Sequence, residues 1–274
     1  MPDALLRPVF GATNGRSSTS RRGTLKRYLA RATSIAAVLL VAIPLLGTPE
    51  ADAETDADWA WPGTQFDIYA DGSFKSCSVG YPAWDASGNR YFITAGHCFR
   101  DDSGRHYIHT DGTALDIYAP SDHNTPIGFE KTYPIGKDGW YTDISLVKMY
   151  PGMTLDGYGW KHIPDNPITS DVGDTACLVG QNHSKPNCGV VTETNTELTI
   201  TGFPWSTAVT RASYCSHPGD SGGAVYNRNG ALGITVTGSS EHNEPGTPGA
   251  CSSTYITISR VLTFLRRFHP TLSI

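Results

Sequence analysis

The stretch 217–224, HPGDSGGA, places a serine where its hydroxyl could act as a nucleophile. Glycine, proline, aspartate and serine all favour turns, so the simplest interpretation is a turn. Ser221 stands between Asp220 and two glycines, which would keep side chains away from anything that Ser221 attacks. A serine hydroxyl is a poor nucleophile unless a base removes its proton. The turn therefore indicates chemistry only if the chain also supplies a base and an acid that orients the base.

The best candidate for the base is His97, which follows the apolar run of FITAGHC and is expected at a strand end facing a cleft. A neutral imidazole needs a buried carboxylate to fix its tautomer and to stabilise its charged form. Asp143 heads the apolar run of TDISLVKM and suits that role, and Asp116 in LDIYA is the rival acid. The chain order His97, Asp143, Ser221 is one of the known orders of a Ser-His-Asp triad.

The segments that must position these residues have the pattern of short strands. From about residue 65, apolar or β-branched runs alternate with turn signals such as Asp71-Gly72 and Asn229-Gly230. Many short strands at even spacing predict an all-β barrel or sandwich. A single helix is expected at the C-terminus, where apolar residues fall at helical spacing and cations occupy the expected last turn: Val261, Leu262, Phe264, Leu265 and Phe268, with Arg266, Arg267 and His269.

Residues 1–53 have the pattern of a cleaved signal peptide. A basic segment, SRRGTLK, precedes the apolar run IAAVLLVAIPLL, and Ala51-Asp52-Ala53 is a small-x-small cleavage pattern. The apolar run is short for a membrane span and contains Pro44, so no stable membrane anchor is expected. The basic segment also resembles a twin-arginine export signal. Residues 54–64 are expected to be a short, flexible lead-in.

Charge and cysteine content narrow the classes of function. The chain has 21 Lys and Arg against 26 Asp and Glu, and without residues 1–53 the balance is 14 to 23, a net charge of −9. Such an acidic chain is not expected to bind nucleic acid through its phosphates. Six cysteines behind an export signal indicate a secreted protein with three disulfides, for which spacing alone allows fifteen pairings. His106 and His109 are expected on the surface, and neither a metal site nor a cofactor is predicted.

Several segments fall in the order of a known family: CSVGY, FITAGHC, TDISLVK, CLVG, NCGVV, CSHPGDSGGAVY and ALGITVTG. They resemble a chymotrypsin-fold serine protease of the bacterial streptogrisin and alpha-lytic type, over about residues 66–268. The resemblance implies two packed six-stranded antiparallel β-barrels, about 65–155 and 156–274, with the active site in the cleft between them and a C-terminal helix. It also implies endopeptidase activity. A small monomer is expected, with polypeptide substrates and protein protease inhibitors as partners.

The resemblance assigns roles to these residues. Ser221 would attack the scissile carbonyl, His97 would take and return its proton, and Asp143 would orient His97. The backbone N–H groups of Gly219 and Ser221 would form the oxyanion hole. The resemblance also selects three disulfides and the substrate-binding walls: Cys77–Cys98, Cys177–Cys188 and Cys215–Cys251, with walls at Pro218, Val236, Thr237 and Gly238.

Two positions depart from the family's pattern. Relatives have an arginine just after the cysteine that matches Cys177, where this chain has Leu178. The partner of Asp220 is therefore open, and Arg211 is one candidate, because an unpaired buried aspartate would be costly. Relatives also have a serine at Val236, near the triad aspartate. We expect this second change to alter the environment of Asp143 without abolishing activity.

The expected specificity is for large apolar residues before the scissile bond. No acid matches the floor of a trypsin-like pocket, and Thr235 stands where relatives that cut after glutamate have a histidine. Glu241 and Glu244 leave open a preference for basic residues. Two alternative functions are a protease-fold binding protein, a class that usually lacks a triad residue, and an esterase, whose Gly-x-Ser-x-Gly elbow precedes a histidine that comes last.

Overall fold

The structure is a computed structural model that describes residues 58–107, 113–132, 142–155, 157, 159–199, 206–238 and 251–274. The predicted signal peptide lies outside these residues, as do His109, Glu241 and Glu244. Within the described ranges, no helix is long and apolar enough to cross a membrane.

Strands in the first half of the chain form one antiparallel sheet. They are β1 (Gln65–Ala70), β2 (Ser73–Ser78), β3 (Pro82–Trp84), β4 (Arg90–Ala95), β5 (Asp116–Ala119), β6 (Asp122–Thr132) and β7 (Ile144–Met149). Their order across the sheet is β2-β1-β5-β6-β7-β4-β3. Strand β4, RYFITA, is buried after its first residue, which suits a continuous apolar run. A 3-10 turn at Gly96–Phe99 follows it directly.

Strands in the second half close into a six-stranded barrel. They are β8 (Thr175–Val179), β9 (Asn187–Thr199), β10 (Ser206–Ala212), β11 (Ala224–Asn227), β12 (Gly230–Gly238) and β13 (Ser253–Thr257). The order β10-β13-β12-β11-β8-β9 closes because β9 also pairs with β10. Closure leaves this sheet without a free edge. Helix α1 (Ile258–Leu265) follows β13 directly.

The predicted architecture of two barrel-like β-sheets and a C-terminal helix is confirmed, with two differences of detail. The first sheet has seven strands where six were expected, because the short strand β3 pairs with β4 at the edge. The helix ends at Leu265, earlier than expected, so Phe268 lies beyond it and is 51% exposed. The chain turns there, and Arg266 Nε donates a hydrogen bond of 2.9 Å to the Leu272 carbonyl.

The two sheets share one core. Phe66 and Phe92 of the first sheet and Ile234 of the second belong to the same cluster of buried apolar side chains. The fully buried Tyr81 donates a hydrogen bond of 2.7 Å from its hydroxyl to the Val225 carbonyl of β11. A buried tyrosine hydroxyl needs a partner, so this bond helps to fix how the first sheet packs on the second.

Residues 58–64 are packed into the fold, where the sequence predicted the end of a flexible lead-in. Trp59 is 5% exposed, and its indole N–H donates a hydrogen bond of 2.9 Å to the Tyr91 carbonyl. The Gly63 N–H donates a bond of 2.8 Å to the Val79 carbonyl. Burial of a tryptophan side chain and these backbone bonds give the segment a place in the core.

The six cysteines form three disulfides, Cys77–Cys98, Cys177–Cys188 and Cys215–Cys251, which are the pairs that the resemblance implies. The first ties the end of β2 to the turn that carries His97. The third ties the segment before Ser221 to the segment before β13. Two of the three crosslinks therefore constrain the chain beside the residues that could do chemistry.

Candidate active site

The pairing of β4 with β7 brings His97 and Asp143 together. In this register Ala95 lies opposite Ile144, so the residues that follow β4 meet the residue that precedes β7. The backbone N–H of His97 donates a hydrogen bond of 2.6 Å to Asp143 Oδ1, and His97 Nδ1 lies 2.6 Å from Asp143 Oδ2. Asp143 is only 1% exposed. A buried carboxylate in this position fixes the tautomer and the orientation of the imidazole.

Ser221 extends this arrangement into a chain of three side chains. Its Oγ lies 2.7 Å from His97 Nε2, the ring nitrogen that faces away from Asp143. The serine belongs to the turn before β11 in the second barrel. Its backbone carbonyl accepts a hydrogen bond of 2.8 Å from the N–H of Ser78, at the end of β2 in the first sheet. The first sheet therefore holds Ser221 of the second barrel against His97, which follows strand β4 of the first sheet.

The charge of Asp143 controls the protonation of His97. Burial alone lowers the pKa of an imidazole, but the charge and hydrogen bond of Asp143 outweigh it and raise the pKa of His97 above its ordinary value. In the described part of the chain, both hydrogen bonds to Asp143 come from His97. The rival acid, Asp116, lies on β5 and accepts a hydrogen bond of 2.9 Å from the Tyr150 hydroxyl. The structure therefore places Asp143 and not Asp116 beside the histidine.

The peptide group that carries the Gly219 N–H is held in one orientation. Asn182 Nδ2 donates a hydrogen bond of 3.0 Å to the Pro218 carbonyl of that peptide. The N–H of a trans peptide points opposite to its carbonyl, so the Gly219 N–H is turned away from Asn182. Gly219 has a φ of +100°, which favours glycine, and its own carbonyl accepts a hydrogen bond of 2.8 Å from Ser78 Oγ.

The peptide group that carries the Ser221 N–H is held in a similar way. The Asp220 carbonyl of that peptide accepts a hydrogen bond of 2.9 Å from the Gly223 N–H. The Ser221 N–H must therefore point away from Gly223. The N–H groups of Gly219 and Ser221, which the resemblance assigns as oxyanion donors, are thus oriented by hydrogen bonds to the carbonyls of the same peptide groups.

Asp220 is fully buried and is held by the turn 181–183. Its Oδ1 accepts hydrogen bonds from the backbone N–H and side-chain amide of Asn182, each 3.0 Å long. Its Oδ2 accepts a bond of 2.8 Å from the His217 N–H and lies 2.9 Å from His183 Nε2. Burial alone would raise the pKa of this carboxyl, but His183 and the N–H donors outweigh burial and lower it. Asp220 is therefore ionised at neutral pH.

The ionisable side chain beside Asp220 is His183, and not Arg211, the candidate that the sequence offered. Arg211 lies opposite Glu193 in the pairing of β9 with β10, and its Nε is 3.2 Å from the Glu193 carboxylate. This cross-strand pair keeps the guanidinium on the sheet surface. Leu178, where the family resemblance implies an arginine, is fully buried in the apolar core of the second barrel.

The predicted substrate-binding residues line one cavity together with Ser221. The cavity has a volume of about 230 Å³ and is lined by Ser216, His217, Pro218, Ser221, Thr235, Val236, Thr237 and Gly238. Its walls carry hydroxyl groups as well as apolar surface, so the cavity is more polar than the sequence indicated. A Cβ at Gly238 would lie 1.6 Å from Ser216 Oγ, so only glycine lets the Ser216 side chain adopt its position there.

His106 is not a surface residue, contrary to the sequence-based expectation. Its side chain is 12% exposed, and its Nε2 contacts the buried Glu130 carboxylate. Ser145 on β7 donates a hydrogen bond of 2.5 Å to the other oxygen of Glu130. Burial raises the pKa of Glu130, and the contacts with His106 and Ser145 oppose that effect. The His106 imidazole is mostly buried because it is a partner of the buried Glu130 carboxylate.

Sequence reasoning missed three residues that orient the nucleophile turn, the segment 217–223 that carries Ser221. They are Ser78, Asn182 and His183. Each acts on residues far away in the chain, so no local motif marks it. One signal was present for His183, since Leu178, where the family resemblance implies an arginine, left Asp220 in need of another partner. The loop between Cys177 and Cys188 contains a histidine and is short enough for its disulfide to hold it beside the turn.

The fold, together with the hydrogen-bonded series Asp143, His97 and Ser221, defines a chymotrypsin-type serine protease scaffold. A family model described as Trypsin matches residues 86–262, more than half of the chain, and the chain belongs to this family. The family resemblance that the motifs predicted is thereby confirmed.

Individual relatives agree with the family. The chain is 30% identical to streptogrisin-C of Streptomyces griseus over 182 residues, which are 65% of this chain and 35% of that one. It therefore spans about a third of streptogrisin-C. It is 28% identical to serine protease 2 of Streptomyces fradiae over 187 residues, 66% of this chain and 96% of that one. Protease A of Thermobifida fusca has the same fold, with a TM-score of 0.55 at 18% identity, over 75% of this chain and 95% of that one.

Proposed function

We propose that the protein is a secreted serine endopeptidase that hydrolyses peptide bonds through an acyl-enzyme. The observation that carries the proposal is the hydrogen-bonded series Asp143, His97, Ser221, with 2.6 Å and 2.7 Å between successive side chains. A serine beside a neutral imidazole that is oriented by a buried carboxylate is the arrangement that activates a hydroxyl for attack. A binding protein that had lost catalysis would have no need to keep all three groups in contact.

In the proposed mechanism, Ser221 Oγ attacks the carbonyl carbon of the scissile bond as His97 Nε2 takes the hydroxyl proton. Asp143 stabilises the imidazolium that results. His97 then gives the proton to the leaving amine, and an acyl-enzyme remains on Ser221. Water, activated by His97 in the same way, releases the acid product and restores the serine.

The N–H groups of Gly219 and Ser221 are proposed to stabilise the negative charge on the carbonyl oxygen. Their peptide groups are already oriented by hydrogen bonds, so little reorganisation is needed when the charge forms. Donors that are fixed in advance contribute most to this kind of stabilisation. We assign Gly219 and Ser221 to the oxyanion hole on this basis.

The cavity beside Ser221 is proposed to take a large apolar side chain from the residue before the scissile bond. Pro218 and Val236 supply apolar contact, and the backbone of Thr237 and Gly238 would pair with an extended polypeptide. The described lining residues include no acid, lysine or arginine, so no carboxylate or permanent cation there would attract an ionised side chain. The hydroxyl groups of the cavity would tolerate a polar tip, as in tyrosine.

The proposal includes export of the protein from the cytoplasm and a monomeric state. Three disulfides suit an oxidising compartment outside the cytoplasm, and the N-terminal segment has the pattern of a signal peptide. Polypeptides would be the substrates, and protein protease inhibitors would occupy the same cleft.

A fluorophosphonate probe tests the function. The activated Ser221 Oγ should displace fluoride from phosphorus, so intact-mass spectrometry should find one adduct per molecule. Tryptic mapping should place it on the peptide 212–228. Protein that has been reduced and unfolded is the control and should not react. A folded, oxidised protein that stays unlabelled, or an adduct on another peptide, would contradict the proposal.

Replacing Gly219 with alanine should lower kcat by about 100- to 1,000-fold, the usual effect of losing one oxyanion donor. The added Cβ would lie 1.9 Å from Gln181 Nε2, so the Gln181 side chain must move, and a φ of +100° is strained for alanine, which favours rotation of the peptide. The measurement is kcat on a chromogenic peptide amide with phenylalanine before the scissile bond. Gly72→Ala is the matched control, because Gly72 has a φ of +78° but nothing lies near its Cβ. Equal losses in the two variants would argue against a specific role for Gly219.

A further inference from the structure

We infer that His183 is a positioning residue whose positive charge holds Asp220 and thereby orients the oxyanion donors, so that activity falls at alkaline pH when His183 loses its proton. The inference rests on the proposed function and adds a second titrating histidine to it. The family resemblance implies an arginine just after Cys177, and here that position is Leu178.

The contact between the two side chains is buried. His183 Nε2 lies 2.9 Å from Asp220 Oδ2, and the side chains are 9% and 0% exposed. Gly180 leaves room for the carboxylate, since a Cβ there would lie 2.6 Å from Asp220 Oδ1. The His183 N–H donates a hydrogen bond of 3.1 Å to the Gly180 carbonyl, which forms the tight turn that presents the ring. A charge in such a place is weakly screened by water and salt.

The carboxylate is coupled to both oxyanion donors through the backbone. Asp220 stands between Gly219 and Ser221, so a movement of its side chain turns the peptide on each side. Asn182 strengthens the coupling, because its side-chain amide bonds to both Asp220 Oδ1 and the Pro218 carbonyl. A shift of Asp220 away from the turn 181–183 would therefore rotate the Gly219 N–H.

Among the described contacts of Asp220, His183 is the one that can carry a positive charge. The hydrogen-bond donors to Asp220 are neutral N–H groups of Asn182 and His217. They satisfy the oxygens of the carboxylate but leave its full negative charge in a buried site. When one partner of a buried pair loses its charge, the other charge is left buried without compensation. The arrangement that buries it is then strongly destabilised.

The surroundings of His183 contain few other charges. The His217 ring lies 5.9 Å away between centroids, and Lys185 lines a cavity together with His183. On the side of the N-terminal segment the neighbours are Trp61 and Trp160, which are uncharged, with Lys161 beyond at 5.9 Å from the Trp61 ring. Across Asp220 lies Tyr214, whose pKa is raised by burial first of all and also by the charge of Asp220, so it stays neutral.

The choice of a histidine gives this pair a pH dependence that an arginine would not have. A guanidinium keeps its charge at every pH at which proteins work, whereas an imidazole loses its proton within that range. Asp220 stays ionised as the pH rises, because its pKa lies below the ordinary value. The pair is therefore intact at low pH and loses its attraction as the pH rises. His97 has the opposite requirement, since only its neutral form can act as the base.

The experiment is a pH profile of kcat and KM with the chromogenic phenylalanine peptide amide. For the wild type we expect a bell shape, with the acid limb from His97 and the alkaline limb from His183. In His183→Gln, kcat at neutral pH should fall about tenfold with little change in KM, because a partly misplaced donor costs less than a lost one. Its alkaline limb should disappear, while its acid limb stays. In His183→Lys the alkaline limb should move to higher pH, since an ammonium keeps its proton longer.

His162→Gln is the matched control, because it removes an exposed histidine and should leave both limbs in place. Thermal unfolding confirms that each variant is folded over the pH series. If the His183 variants do not fold, NMR of the wild type with labelled histidine decides, since the assigned His183 signal must titrate together with the alkaline limb. An alkaline limb that persists in His183→Gln, or a His183 signal that titrates elsewhere, overturns the inference alone. A folded wild type that hydrolyses nothing at any pH overturns the proposed function and the inference together.

Discussion

Ser221→Ala is expected to lower kcat on the phenylalanine peptide amide by about a million-fold, with a KM within a few-fold of the wild type. Removal of the hydroxyl removes the acyl-enzyme route altogether, because His97 then has no nucleophile to activate. Single losses in comparable triads reach about this size, since the three residues act as a unit. The small rate that remains should come from the oriented N–H groups and from substrate binding.

The measurement compares purified Ser221→Ala with the wild type under identical conditions and in the absence of other proteases. Ser87→Ala is the matched control, because Ser87 lies on an exposed turn and should keep full activity. Activity of Ser221→Ala within tenfold of the wild type would mean that another group attacks the substrate, and would remove the basis of the proposed mechanism.

Asp143→Asn is expected to lower kcat by about 10,000-fold while the protein stays folded. The carboxylate accepts two hydrogen bonds from His97, one from the backbone N–H and one from Nδ1. An amide can accept only through its oxygen, so its NH₂ must face one of these two groups. If it faces the ring, Nδ1 becomes the acceptor, and the proton moves to Nε2. The ring nitrogen beside Ser221 can then no longer take a proton.

The pH dependence of the same variant gives a second test. The charge of Asp143 raises the pKa of His97 in the wild type, so its removal should lower that pKa and move the acid limb to lower pH. Asp116→Asn is the matched control, because Asp116 accepts a hydrogen bond from Tyr150, beyond the opposite end of β7 from Asp143, and the variant should keep activity within about twofold. A large loss in Asp116→Asn with little loss in Asp143→Asn would exchange the roles of the two acids.

The residues of the site could be predicted because each lies next to a strong local pattern. His97 follows a buried strand, and Asp143 precedes another. These two strands pair with each other, so residues at their adjoining ends had to meet. Ser221 lies in a turn whose glycines and proline are visible in the sequence. The strand and turn pattern predicted an all-β barrel or sandwich, and the family resemblance implied the two-barrel architecture.

What could not be predicted depends on contacts between distant segments. His183 lies in a polar loop, and only the folded chain brings it to Asp220. Arg211 was a reasonable substitute by charge, but its register on β10 places it opposite Glu193. Trp59 falls in the segment that the sequence predicts as a flexible lead-in, although its large apolar side chain is buried in the fold. Strand β3 is too short to give a periodic signal.

Ser78 belongs to the first sheet, yet it bonds to the carbonyls of Ser221 and Gly219 in the second barrel. The nucleophile turn is thus fastened to both halves of the molecule, and it keeps its shape only while the two halves stay docked. Separation of the halves would then inactivate the protein before either half had unfolded. The half-life of activity in storage or at high temperature would measure the lifetime of that contact, which is a kinetic property of the interface and not the equilibrium stability of either sheet.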